Sequence, residues 1–140
     1  MTTGAADDLK VHRLQPLRVL LSGRDRRFIR VTSFLLTQRG YEVADSNPRR
    51  TLEAVELHRP DVVLVEATSS RVMAARKVAA IQALSTAPSV VLLFDDHEQN
   101  GWRGLPGVRK WSSVDALVDE IEAAALNRPA PFTDDPRTRP

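Results

Sequence analysis

Residues 17–126 are predicted to fold as an α/β domain on a doubly wound, parallel sheet of five strands. Three observations lead there. Apolar runs alternate with amphipathic stretches in units of about thirty residues, the rhythm of βαβ crossovers. Two of those runs, Asp61–Val65 and Ser89–Phe94, show no period-two alternation, as strands do when both faces are covered. Glycine, proline and small polar caps stand at the joins.

Each element has its own local warrant. Leu17–Leu21 is a short Val/Leu run closed by Ser22-Gly23, which reads as a buried strand. Phe28, Val31, Thr32, Leu35 and Leu36 then recur at one-face helical spacing, and Gly40 follows as a terminating glycine. Tyr41–Ala44 is the second strand. Asn47-Pro48 is an N-cap with proline at the first helical position, opening a helix to about His58, which Pro60 closes. Asp61–Val65 is the third strand, an Ala-rich helix covers about Ser70–Leu84, and Ser89–Phe94 is the fourth strand. Residues 95–107 are broken by Gly101, Gly104, Pro106 and Gly107 and read as irregular. Val108–Trp111 is a short fifth strand. Ser112 or Ser113 caps a last helix with the stripe Val114, Leu117, Val118, Ile121, Ala124 and Ala125. Residues 1–16 read as a flexible arm. Residues 127–140, with four prolines in fourteen positions, read as a disordered extended tail.

Composition limits the function classes. The chain has 140 residues, 42% hydrophobic and 27% charged, which suits one globular domain and not a disordered chain. No apolar run reaches the ~18 residues of a membrane span, and the start lacks the basic-then-apolar pattern of a secretory signal. There is no cysteine, so disulfides, thiol catalysis and Cys-based metal sites are excluded. A cytoplasmic setting without membrane contact is expected. The net charge of +2 hides a polarity. Arg18 to Pro60 carries nine bases against five acids, whereas Ser112 to Leu126 carries four acids and no base. Such a split favours oriented protein contact.

In a doubly wound sheet the site lies at the carboxyl ends of the strands. Those ends are Ser22–Arg26, Asp45–Asn47, Glu66–Ser69, Asp95–Glu98 and Lys110–Ser112. The first turn, Ser22-Gly23-Arg24-Asp25-Arg26-Arg27, has one glycine and cannot form a G-x-G-x-x-G dinucleotide loop. A Walker A loop and a G-x-S-x-G elbow are absent as well.

The order and spacing of these segments resemble the receiver domain of bacterial two-component response regulators over residues 18–126. Arg18–Val43 keeps the family's strand, helix and Gly40-Tyr41-Glu42-Val43 without a gap. Arg59-Pro60-Asp61-Val62-Val63-Leu64-Val65-Glu66 is similar to its approach to the phospho-acceptor. Lys110 through Leu117 keeps the spacing of its lysine and last helix. The resemblance implies a flavodoxin-like fold. It also implies a pocket of two Mg²⁺-binding acids after the first strand, a phospho-acceptor Asp after the third, Ser or Thr after the fourth and Lys-Pro after the fifth.

This chain departs from that pattern. The acid pair falls on Gly23-Arg24, with Asp25 one position on; the acceptor is Glu66; the hydroxyl position is Leu93 or Phe94; Lys110 is kept but followed by Trp111. Mg²⁺ requires a near-octahedral oxygen shell, which Arg24 opposes. Glu66 reaches about 1.5 Å farther than Asp would, out of line for phosphoryl transfer. Gly23, Arg24, Asp25, Glu66, Phe94 and Lys110 therefore read as a degenerate acceptor pocket. Arg24 and Lys110 together are expected to neutralise Glu66, with the guanidinium–carboxylate pair as the directional element; the alternative has Arg24 in solvent and Lys110 alone on Glu66. The family's helix between the fourth and fifth strands is expected to be shortened or absent.

Several features carry two readings. Trp102 and Trp111, on either side of the shortened segment, are either an exposed aromatic anchor or a cover for the sheet. Asp95, Asp96 and His97 with Glu66 or Asp25 have metal-ligand types, but adjacent acids in a strand-end loop are ordinarily solvated. Arg26, Arg27 and Arg30 lack the aromatics of a nucleic-acid surface, so nucleic acid is not expected for this chain alone. With Asp115, Asp119 and Glu122 of the last helix they read as a protein-partner surface, a second copy of the chain included. The expectation is a phosphorylation-independent receiver-like regulatory module, neither an enzyme nor a metal or cofactor binder. The alternatives are the regulatory half of a transcription regulator and a small metal-dependent phosphoryl-handling enzyme built from Asp25, Glu66, Asp95 and Asp96.

Overall fold

The computed structural model describes residues 15–67, 71–94 and 107–127. Five parallel strands form one sheet in the order β2-β1-β3-β4-β5. They are β1 (Arg18–Ser22), β2 (Glu42–Ser46), β3 (Val62–Glu66), β4 (Ser89–Phe94) and β5 (Gly107–Arg109). The helices are α1 (Arg26–Gln38), α2 (Thr51–His58), α3 (Arg71–Gln82) and α4 (Val114–Leu126). The doubly wound parallel sheet predicted from the unalternating runs is the observed one.

The reason is visible in the three central strands. Side chains alternate across a strand, and both sides of these strands are apolar. Val19, Leu21, Val62, Leu64, Val91 and Leu93 meet α1 and α4. Leu20, Val63, Val65, Val90, Leu92 and Phe94 meet α2 and α3. Each Leu or Ile taken fully out of water stabilises the fold by about 1.5–3 kcal/mol. β2 lies at the edge of the sheet, with Glu42 and Asp45 exposed and Val43, Ala44 and Ser46 half-buried.

Caps fix the helix starts. The Asp25 carboxylate accepts the Phe28 N–H at 3.1 Å and opens α1. Gly40 ends it with φ 94, a left-handed geometry that glycine adopts without strain. Asn47 accepts the N–H groups of Arg49 and Arg50, as its N-cap reading predicted, but the first turn is a 3₁₀ turn over Pro48–Arg50. The Thr51 hydroxyl donates to the Pro48 carbonyl at 3.0 Å, where that turn passes into α2. Of the two serines available, Ser113 caps α4, accepting the Ala116 N–H at 3.1 Å.

One helical face differs from the sequence reading. In α1 the buried residues are Phe28, Ile29, Thr32 and Leu36. Val31 and Leu35, placed on the core face by their spacing, lie at its margin and remain partly in solvent. The apolar surface of α1 is wider than the strip the sheet can cover. Of the segment 95–107 expected to lack the family's helix, residues 95–106 lie outside the described residues, as do most of the two terminal stretches. Gly107 already belongs to β5, which ends at Arg109 and not at Trp111 as expected, because the chain turns at Lys110 and Trp111.

Candidate functional site

The carboxyl ends of β1, β3 and β5 converge on one buried constellation. Glu66, the last residue of β3, turns its carboxylate across the end of β1. Its Oε1 accepts the Arg24 N–H at 2.7 Å and the Asp25 N–H at 3.3 Å. Its Oε2 lies 2.8 Å from the Lys110 ammonium, and both side chains are almost wholly buried. The same ammonium reaches Asp25 Oδ2 at 3.2 Å and lies 5.0 Å from the centre of the Phe28 ring. Lys110 is held from behind by its own N–H, which donates to the Phe94 carbonyl at 2.7 Å.

The local sequence explains why Glu66 fits. Gly23 has no side chain, and a Cβ there would fall on the Glu66 carboxylate. The longer glutamate thus fills the space that a side chain on residue 23 would use. Its anionic end meets the backbone N–H groups just ahead of α1, where the helix dipole also favours negative charge.

The electrostatics follow from this packing. Burial alone would lower the Lys110 pKa, but pairing with Glu66 and Asp25 outweighs it and holds the ammonium above its ordinary value. The Phe28 N–H is the largest influence on Asp25 and holds its carboxyl below the usual range; burial opposes this, and Lys110 adds to it. Asp25 and Lys110 are thereby both held in their charged forms at neutral pH, with the ammonium set between the two carboxylates.

The expected Arg24–Glu66 guanidinium pair does not form. Arg24 contacts Glu66 through its backbone N–H, and its exposed side chain makes no ion pair with that carboxylate. The guanidinium lies within electrostatic reach of Lys77 instead, whose pKa is lowered first by burial and then by Arg24. Lys77 donates to the Pro48 carbonyl at 2.9 Å. The directional partners of Glu66 are thus two backbone donors and Lys110.

Phe94 takes the place of a strand-end hydroxyl. Its ring is buried, and a Cβ on Gly107 would fall on it. Leu93 points to the opposite face, into the α1–α4 layer. The buried hydroxyls nearby belong to Ser22 and Thr51, which hydrogen-bond each other at 2.6 Å. Nothing in the sequence marked that pair, because its members stand 29 positions apart.

Trp111 has φ 64, in the left-handed region. Proline is fixed near −65°, so the turn after Lys110 is one that a Lys-Pro pair cannot make. Trp111 does not cover the sheet. It is 57% exposed and meets the Phe28 ring edge-on, with centroids 5.1 Å apart. Trp102, Asp95, Asp96 and His97 lie outside the described residues.

The charged surface residues are only partly brought together. Arg26 pairs with Asp45 at 3.7 Å, toward β2. Arg27 and Arg30 are exposed on α1. On α4, Asp115 pairs with Arg39 at 2.6 Å, Glu122 accepts from the Tyr41 hydroxyl at 2.5 Å, and Asp119 faces solvent.

The donor set does not fit Mg²⁺. Positions 23 and 24 supply no carboxylate, and the two that are present share the Lys110 ammonium. Among the described residues no three His, Asp or Glu side chains gather as a metal site, and no helix is long and apolar enough to cross a membrane.

No family profile and no curated protein matches the chain. Solved structures do. The chemotaxis protein CheY4 of Vibrio cholerae superposes with a TM-score of 0.67 at 18% identity, over 78% of this chain and 98% of that one. The signal receiver domain of a modulated diguanylate cyclase from Desulfovibrio desulfuricans G20 gives 0.68 at 17%, over 81% and 96%. A response regulator receiver domain protein from Bacillus halodurans C-125 gives 0.55 at 20%, over 83% and 100%. Together with the strand order and the placement of Glu66 and Lys110, these similarities establish that the chain has the receiver-domain fold.

Proposed function

We propose that this protein is a cytoplasmic receiver-like regulatory module that works through protein contact and without phosphorylation. The observation that carries the reading is the engagement of Glu66: both oxygens of its carboxylate are occupied, one by two backbone N–H groups and one by Lys110.

Phosphoryl transfer to a carboxylate requires an oxygen free to attack in line, a cation to gather the phosphoryl oxygens, and room for the group. Here Lys110 neutralises carboxylates already present, and the side-chain space at Gly23 is filled by Glu66. The pocket carries its own anion, so its two ends are held together without a metal or a phosphoryl group. In this reading the module presents one fixed surface, and regulation comes from whether its partner is present.

Incubation with acetyl phosphate and Mg²⁺ tests this. Intact-mass measurement under conditions that preserve acyl phosphates is expected to show no added phosphoryl mass. A stoichiometric phosphoryl adduct on Glu66 would refute the proposal.

A further inference from the structure

We propose that the α1–α4 face is the interface of a two-fold dimer of this chain. The proposal rests on the reading that the module acts by protein contact, and it names the partner as a second copy.

The first observation is apolar surface that the fold itself does not use. Beyond the buried stripe of α1, Phe34 is 61% exposed, and Val31 and Leu35 stand beside it. Between α1 and α4 runs a small groove of about 50 Å³ lined by Phe28, Val31, Leu35, Trp111, Val114 and Leu117. Aromatic residues at the centre of a patch, rimmed by charge, are the usual anchors of protein interfaces.

The second observation is the charge around the patch. Arg27 and Arg30 stand on α1, and Asp119 stands on α4, all exposed. A partner of one sign would be attracted by one helix and repelled by the other. A second copy satisfies both, because a two-fold interface sets each patch against its own complement. Both helices return across the same face of a parallel sheet and so run in the same direction. A two-fold axis along them places the basic early turns of one α1 opposite the acidic early turns of the partner's α4, with Phe34 and Trp111 toward the centre.

Sedimentation equilibrium of the full chain over a wide concentration range tests the proposal. A monomer–dimer equilibrium is expected. Phe34→Asp, a surface change with little reason to unfold the domain, is expected to raise the dimer dissociation constant by more than about tenfold. Arg27→Glu with Arg30→Glu, and separately Asp119→Lys, are each expected to weaken self-association. Mixing those two variants is expected to restore a dimer, since each then meets its complement. A chain that stays monomeric throughout would overturn the proposal and pass the face to the chain's own terminal stretches or to another protein. A dimer indifferent to Phe34→Asp and to the charge exchange would overturn it too, by placing the contact elsewhere. Either failure leaves the phosphodonor result untouched, so the two readings fail separately.

Discussion

Gly23 and Glu66 share one volume: the carboxylate of Glu66 lies where the first side-chain atom of residue 23 would be. The missing side chain on β1 and the longer acid on β3 are therefore a single change. Gly23→Ala is expected to force Glu66 off the Arg24 N–H and to cost about 1–3 kcal/mol, the range for overpacking a filled site. In a Glu66→Ala background the same substitution should cost far less. Urea unfolding of the four proteins of this cycle measures the coupling, and additive costs would argue against the shared volume.

Lys110 is the buried charge on which two carboxylates depend. Lys110→Met is expected to destabilise the domain by about 3–5 kcal/mol, because it strands Glu66 in the interior. Pairing that change with Glu66→Gln should recover part of the loss. Thermal or denaturant unfolding reads both effects.

Stability is expected to fall at both extremes of pH. The Asp25 carboxyl is held below its unfolded value of about 3.9, chiefly by the Phe28 N–H. Its contribution is present above that pH and is lost as pH falls through the lower folded value. Lys110 is held above its unfolded value of about 10.4 by Glu66 and Asp25, against the effect of burial. Its contribution is present below that pH and is lost as pH rises through the higher folded value. Denaturation across pH should show a plateau between these limits, and Asp25→Asn should flatten the acid side.

The turn after Lys110 predicts a contrast between two substitutions at residue 111. Trp111→Pro cannot adopt φ 64 and is expected to destabilise the domain by several times RT, on the order of 2–3 kcal/mol. Trp111→Gly removes a left-handed strain of about 1–2 kcal/mol while losing the edge contact with Phe28, worth about 0.5–1.5 kcal/mol. It is expected to be close to neutral. Melting temperatures of the two variants separate these outcomes.

Much of the fold was legible from local chemistry. The unalternating runs ending in Glu66 and Phe94 required cover on both faces, and Asn47, Ser113 and Gly40 marked helix ends by residue type. The site was legible in its members but not in its contacts. Arg24 bonds Glu66 through a backbone atom, which a guanidinium-based argument cannot see. The outward position of Phe34 and the partial exposure of Val31 depend on how much of α1 the sheet can cover, and helical spacing alone does not fix that width. The Ser22–Thr51 pair depends on where α2 starts, which the 3₁₀ turn decides.

Glu66 already fills the pocket at the end of β1 and β3. Amide NMR spectra of the full chain with and without Mg²⁺ and beryllofluoride, a phosphoryl mimic, test it most directly. No shifts beyond salt controls are expected at Gly23, Arg24, Asp25, Glu66 and Lys110. Saturable shifts centred on Glu66 and Lys110 would contradict it, because they would require a carboxylate free to take a phosphoryl-like group.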